Sequence, residues 1–413
     1  MAVVSLPFER QKQVNGRASA PCIGALDTSA GRIRLTVIRE INSVERQWRV
    51  LECNGACAQE QSYIRAEAWF RLVSQPMGAE PAIVCGHSES GELQFIWPFE
   101  VAKTRGVRCL RWIGWEHANY NMGVHNPEFA RNVAPEDMRA LLNHAAQLIG
   151  GVSAAHFGKQ PLERNGLPNP MALLPNRPSA NTGHAILLEE DFDTLFRTRF
   201  SGKSRNTLRR KERRLREEWD VKLGWAESVD ERRKLLDEFF RQKTRQFAEQ
   251  GITDAFSDPH HRAFYHDLAA RPTGEQGTLE IGYLKTDSKF AAICCGIRFR
   301  DRFTTLLTSI HDGPTRKFSP GTILLHHQIE DACRRGLTFF DMGAGHARHK
   351  DEWCDVDVPL FENIIAFDER GYILTAPIAF LAGAKRFIKT RPALWALAQN
   401  VRRRIYGRSA EPA

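Results

Sequence analysis

From Asp220 onward the spacing of apolar residues changes in an ordered way. Val221–Trp225 alternates like a half-buried strand, whereas Asp230–Glu249 sets Leu235, Leu236, Phe239, Phe240 and Phe247 at helical spacing on one face. A second helix is predicted over Pro259–Ala270. Three strand-like runs follow: Thr278–Lys285, Phe290–Phe299 and Arg302–Ile310. Only Thr286-Asp287-Ser288 and Arg300-Asp301 separate them, which predicts an antiparallel meander. A helix starting near Ser319 then leads to strand-like runs at Leu337–Asp341 and Leu360–Asp368. Because that helix joins two strands as a crossover, it favours one parallel pair in an otherwise antiparallel sheet.

The first half repeats this order with only slight residue identity, a repeat of architecture. Strands are predicted over Ile33–Arg39, Pro81–Gly86, Leu93–Val101, Val107–Ile113 and Val152–Phe157, with helices over Val44–Leu51, Ala66–Val73 and Pro135–Leu148. Asn165–Thr182, rich in Pro and Asn, reads as a linker, and His184–Leu188 returns to a strand pattern. The expected organisation is a flexible tail (1–32), a first α/β domain (33–164), a linker (165–182), a second α/β domain (183–371) and a basic helical tail (372–413). Pro377 and Pro392 are expected to interrupt that last helix. A chain of 413 residues has room for two cores of this size.

Composition alters this picture mainly through charge. The net charge of +9 is concentrated in two segments. Ser201–Glu217 holds eight Lys/Arg against two Glu, and Ala384–Arg408 holds eight with no acid, so the remainder is net acidic. Nine scattered cysteines include one C-x-x-x-C pair, Cys53 and Cys57, and no second pair completes a zinc spacing; they read as thiols of a reducing compartment. No metal is expected. The first thirty residues lack the apolar core of a secretory leader, and Tyr372–Gly383 is shorter than the roughly 20 residues that span a bilayer. A cytoplasmic protein is expected, with peripheral contact at the inner membrane through the basic tail. Phe380, Phe387, Ile388, Leu394, Trp395 and Leu397, mixed with Lys and Arg, have the composition of an interfacial helix. A helix packed on the protein with its basic face in water fits that composition equally.

Candidate chemistry gathers at the helix start in FSPGTILLHHQIEDACRRGLTFFDMGAGHARHK (Phe318–Lys350). Ser319 suits an N-cap, Pro320 the first helical position, and Gly321 a close backbone approach, with Thr322 next in line. Free N–H groups and the positive end of the helix dipole make an anion site, to which Arg316 and Lys317 add charge. A well-capped structural helix accounts for the same residues.

The element order, with these residues at the parallel seam, resembles the GNAT acyltransferase superfamily, here as two GNAT-like units in tandem. In detail, Pro320, Gly321, Gly336, Phe340, Asp341, Gly343, Gly345, Lys350 and Trp353 resemble a bacterial acetyltransferase-like family linked to cellulose and exopolysaccharide genes, the CelD/BcsL type. FSGKSRNTLRRKERRL (Phe200–Leu215) and WPFEVAKTRGVRCLRWIGWEHANYN (Trp97–Asn121) are similar to its basic helix and N-terminal lobe. The likeness covers most of Ile33–Asp368. His346 stands where an acid is commoner and His349 where Tyr is commoner, and the Q/R-x-x-G-x-G/A loop of ordinary GNAT enzymes is missing.

The resemblance implies an acyl-CoA co-substrate whose pyrophosphate meets the helix start, so that Arg316, Lys317, Ser319, Pro320, Gly321 and Thr322 bind it. Acyl transfer needs a base for the acceptor's proton; Asp341, His346 and His349 are candidates, and Lys350 could meet a phosphate or an acidic substrate. Asp341 as a cap of the glycine loop, the histidines as solvated or structural loop residues and Lys350 as a surface residue account for the same positions. The implied acceptor is an amine or hydroxyl of a cell-envelope or exopolysaccharide precursor. The related Fem ligases use the same tandem fold with aminoacyl-tRNA, and a non-catalytic scaffold in polysaccharide synthesis is a further alternative. Arg205, Arg209, Arg213 and Arg216 share one helix face, which reads as a solvated surface or as a contact for an acidic partner: CoA phosphates, an acyl carrier protein or tRNA.

Overall fold

The computed structural model describes residues 22–249, 253–272, 274–345 and 347–389, together with Arg391 and Leu394. In the first half, β1 (Cys22–Thr28) and β2 (Gly31–Ile38) precede α1 (Glu45–Asn54) and α2 (Tyr63–Trp69). Then come β3 (Glu80–His87), β4 (Leu93–Thr104), β5 (Val107–Trp112), α3 (Pro135–Ile149) and β6 (Ala154–Pro161). The second half opens with β7 (Gly183–Leu187), α4 (Phe192–Arg199), α5 (Gly202–Glu218) and β8 (Val221–Trp225). It continues through α6 (Val229–Glu249), α7 (Pro259–Ala270), β9 (Leu279–Thr286), β10 (Lys289–Phe299) and β11 (Arg302–Ile310). The last elements are α8 (Pro320–Arg334), β12 (Phe339–Ala344), α9 (Arg348–Trp353), β13 (Val356–Val358), β14 (Leu360–Ala366) and α10 (Glu369–Lys389).

Two mixed sheets result. One runs β1-β2-β3-β4-β5-β6-β14 and ends on the short strand Arg177–Pro178; the other runs β8-β9-β10-β11-β12-β7-β13. Each has a single parallel seam where a helix crosses over, β5 with β6 at Cys109–Leu110 and β11 with β12 at Arg302–Thr304. The expected meander is present as β9-β10-β11.

Three departures from the expected element list bear on the architecture. Strand β1 lies inside the stretch read as a tail, paired along its whole length with β2. Strand β14, expected to extend the second sheet, crosses to the first and pairs antiparallel with β6 from Leu360↔Pro161 to Ala366↔Ala154. Alternation marks a strand but not its partner; Phe361 is buried among Phe99, Phe157 and Trp112 of the first core, and this decides the side. Helix α10 also runs through Pro377 without ending there. Pro392, the other expected interruption, lies outside the described residues.

Besides the cores inside each half, one apolar core is shared by both. Trp48, Tyr63, Ile64 and Trp69 from α1 and α2 join Leu235, Phe239, Phe240, Phe264 and Leu268 from α6 and α7, with Ile281, Ile293 and Cys295 beneath. Phe239 is fully buried and meets Phe240 and Phe256 edge to face. Phe239→Ala should therefore cost about 3–5 kcal/mol of stability. Because the core is common to both halves, urea unfolding followed by tryptophan fluorescence and by circular dichroism should give one transition that moves as a unit. A transition that splits in two would show that the halves unfold separately.

A buried carboxyl lies at the same junction. Glu52 accepts the Tyr63 N–H at 2.6 Å, and burial pushes its carboxyl from an ordinary 4.5 up to about 7. The folded state thus holds a proton that the unfolded chain gives up above pH 4.5. The stability this contributes is complete below pH 4.5 and is lost as pH rises through about 7. Glu52→Gln should remove a slope of about 1.4 kcal/mol per pH unit in that window, read from urea midpoints at several pH values.

Candidate active site

The second sheet opens at its parallel seam. Pairing of β11 with β12 ends at Thr304↔Asp341, and past that point β11 continues to Ile310 on β10 while β12 keeps only its pairing with β7. The first half holds the gap open. Asn119 Nδ2 donates to the Thr305 carbonyl on β11 at 3.3 Å, and Asn119 Oδ1 accepts the Ala344 N–H on β12 at 3.3 Å. One side-chain amide thus takes up a carbonyl and an N–H at the point where the two strands part. Gly343 makes room for it, because a Cβ there would stand 2.6 Å from the Asn119 amide, and its φ of 72° is costly for other residues.

Asp341 occupies the last paired position and is fully buried. Its Oδ1 accepts from the Tyr120 hydroxyl and the Gly343 N–H, both at 2.8 Å. Its Oδ2 accepts from Arg302 Nη1 at 3.0 Å, and Arg164 Nη1 lies 3.6 Å away. Burial draws the Arg302 guanidinium down to about 10, and burial with the Asp341 charge raises the Tyr120 phenol well above its usual range. A carboxylate enclosed by four donors is placed to tie the halves together, not to reach an acceptor's proton. Lys350 is likewise turned inward: Nζ donates to the carbonyls of Gly343 at 3.0 Å and Ala344 at 3.3 Å, so it braces the glycine loop. His346 lies outside the described residues.

Beside the opening lies a cleft of about 270 Å³ between α6, β11 and the first turn of α8. His349, Arg316, Gly321 and Thr322 line it, so four of the expected site residues meet there. Burial holds the His349 imidazole below its usual range, favouring the neutral form. The other expected residues sit elsewhere. Lys317 pairs with Glu218 at 2.9 Å and lies over the Phe318 ring. Pro320 is buried in the first turn of α8.

Ser319 does not cap with its side chain. Its backbone is left-handed (φ 58°), its carbonyl takes the N–H groups of Thr322 and Ile323, and its hydroxyl accepts from Lys211 Nζ at 2.8 Å. The Thr322 N–H is therefore engaged within the turn. Gly321 permits the close approach expected of it, but toward β11: a Cβ would come within 2.7 Å of Ile310 Cδ1.

The cleft also holds residues that the sequence reading passed over. Arg241 and Arg245 stand one turn apart on α6 beside Lys243, and Arg316 and Arg245 approach Asp312 at 3.0 and 3.8 Å. An Arg-x-x-x-Arg spacing on the polar side of a helix looks like an ordinary solvated face, and only the meeting with α8 sets it apart. The basic helix α5 is more structural than expected. Arg205 donates to the carbonyls of Arg197 and Phe200 at the end of α4, whereas Arg209, Arg213 and Arg216 remain exposed with acidic neighbours. Where α5 meets α8, His326, His327 and Glu330 bring ligand-type atoms within 4.8 Å of one another, but they do not line the cleft.

A second cavity of about 500 Å³ lies on the first sheet, walled by Trp115, His156, Lys159, Glu362 and the α10 residues Ile378 and Leu381. His156 Nε2 is 3.2 Å from Glu362. The segment from Trp115 to Asn121 borders this cavity with both of its end residues, while Asn119 and Tyr120 within it make their contacts at the β11/β12 opening.

Comparison with known proteins agrees with this geometry. The family described as "Acetyltransferase (GNAT) domain" matches residues 202–351, from α5 into α9. Among solved structures, FemX is similar with a TM-score of 0.57 at 11% identity, over 80% of this chain and 98% of its own. A conserved protein of unknown function from Bacteroides thetaiotaomicron VPI-5482 is similar with a TM-score of 0.50 at 12% identity, over 80% of this chain and 99% of its own. A search of curated proteins returned no match. At these identities the structural likeness is one of fold, and the fold is a tandem GNAT-like arrangement of two mixed sheets.

The hub around Asp341 yields a direct test. Asp341→Asn leaves two buried guanidinium groups without a counter-charge and should cost about 3–5 kcal/mol. Tyr120→Phe removes one donor and should cost about 1–3 kcal/mol. Denaturant midpoints measure both. An Asp341→Asn protein as stable as the parent would remove the anchoring role and return Asp341 to the candidate bases.

Proposed function

We propose that the chain is an acyltransferase that takes an acyl group from coenzyme A at the β11/β12 opening. The acceptor in this reading is an amine or hydroxyl of a cell-envelope or exopolysaccharide precursor. One observation carries it: the opened seam, the first turn of α8 and the cationic face of α6 line a single cleft. A diphosphate would lie between Gly321 of α8 and the guanidinium groups of Arg241, Arg245 and Arg316, with the helix dipole and three cations opposing its charge. The pantetheine arm would follow the gap between β11 and β12 toward Thr305 and Met342.

In the reaction, the acceptor nitrogen or oxygen attacks the thioester carbonyl carbon, its proton passes to a base, and the C–S bond breaks to release the CoA thiolate. His349 is the expected residue best placed for that proton, since it lines the cleft and is held neutral by burial. The first unit, provisionally 33–164, would present the acceptor along the Trp115–Asn121 segment. Exposed Arg209 and Arg213 on α5 remain available to an acidic carrier protein or tRNA. A second reading, aminoacyl transfer of the Fem type, draws support from the likeness to FemX.

Calorimetric titration with CoA and with aminoacyl-tRNA separates the two. Saturable CoA binding is expected, and Arg241→Gln with Arg245→Gln should weaken it at least about tenfold, increasingly at low salt. His349→Ala should slow transfer by about 10²–10⁴ while CoA affinity is kept. Binding of aminoacyl-tRNA without CoA binding would select the Fem-type reading, and binding of neither would leave the scaffold.

A further inference from the structure

Helix α10 shows an apolar side to the outside. Of the twelve large hydrophobic residues exposed among the described residues, six belong to it: Tyr372, Ile373, Phe380, Leu381, Phe387 and Ile388. Their exposures run from 37% at Ile388 to 76% at Phe380, too high for side chains that merely edge a core. At 100° per residue, Ile373, Pro377, Phe380, Ala384 and Phe387 fall on one line, with Leu381 and Ile388 on one flank and Tyr372 on the other. The apolar sector covers about half the helix circumference.

The orientation is built in. Gly371 packs so closely on Ser153 that a Cβ would lie 1.7 Å from its carbonyl oxygen, and Asp368 accepts from both the Gly371 N–H and the Ser153 hydroxyl at 2.8 Å. Leu374 and Thr375 are buried on the body side. Farther along, Arg177 donates to the Ala379 carbonyl and Lys389 to Asn181, each at 2.5 Å. These contacts hold one side of α10 against the protein over its full length, so the helix cannot roll to hide its apolar sector without breaking them.

Charge identifies what the sector meets. Lys385 and Arg386 lie at its two edges, Arg391 stacks on Phe387, and from Ala384 to Arg408 the sequence holds eight cations and no acid. A second copy of this chain meeting the same face across a two-fold axis would set these cations against their own copies. An anionic lipid surface takes both features at once, with apolar rings among the acyl chains and cations at the phosphates. No described helix is long and apolar enough to cross a membrane, so the contact is with the surface.

We propose that α10 is a membrane-docking helix that lies in the interface of an anionic bilayer on its Tyr372–Phe380–Phe387 side. This inference does not depend on the acyl-transfer reading. Its test is co-sedimentation of the full-length chain with vesicles of phosphatidylcholine alone or mixed with phosphatidylglycerol. Binding is expected to the mixed vesicles and to fall with added salt. Phe380→Ser with Phe387→Ser should weaken it at least about tenfold, with the melting temperature and the mass in solution unchanged. Lys385→Gln with Arg386→Gln should weaken it on mixed vesicles only. Equal binding by the parent and the serine variant would overturn the proposal, since adsorption would then be due to the basic segment alone. It would be overturned equally by a parent that ignores vesicles, whether as a dimer that the serine variant dissociates or as a monomer whose own C-terminal residues cover the face.

Discussion

The architecture turns on one buried carboxylate. Asp341 sits where the two parallel strands of the second sheet stop pairing, and a charge there is tolerable only because donors enclose it. Two of them, Arg302 and the Gly343 N–H, come from its own half; Tyr120 and Arg164 come from the other. The same loop segment that carries Tyr120 carries Asn119, whose amide bonds to both β11 and β12 where they part. The cleft in the second half is therefore maintained by residues of the first. Loss of the hub would let the seam relax along with the contact between halves.

Local structure was readable from the sequence wherever one residue's neighbours along the chain decide the outcome. The β9-β10-β11 meander and the α8 crossover follow from periodicity and loop length, as does the single parallel seam. Choices made at long range were not readable. Strand β14 alternates equally well for either sheet, and only the burial of Phe361 in the core that holds Phe99 and Phe157 assigns it to the first. Gly343 stood out as a glycine in a loop, but the amide that requires it belongs to Asn119, and the bonded partner of that amide is 225 residues away.

Site residues divide along the same line. Gly321 and Thr322 reach the cleft as a helix start should, yet Ser319 adopts a left-handed backbone that no Ser-Pro-Gly pattern reveals, and its hydroxyl serves Lys211. Asp341 and Lys350 stand out by likeness to a family motif, which leaves Asp341 readable either as a base or as a cap of the glycine loop. Both prove to be buried supports of the glycine loop. Arg241 and Arg245 are illegible for the opposite reason, because nothing in their own helix distinguishes a face that solvent covers from one that borders a cleft.

The exchange of β14 into the first sheet affects how the chain is made as well as how it stands. A growing polypeptide leaves the ribosome from its N-terminus, and β6 is available long before residues 360–366 exist. Until they emerge, the first sheet lacks its neighbour on that side and shows a row of unsatisfied N–H and C=O groups along β6. The second sheet, in contrast, has every strand from β7 to β13 by residue 358. The half synthesised first is thus the half completed last, and β6 is the edge a nascent chain must keep from pairing with strangers.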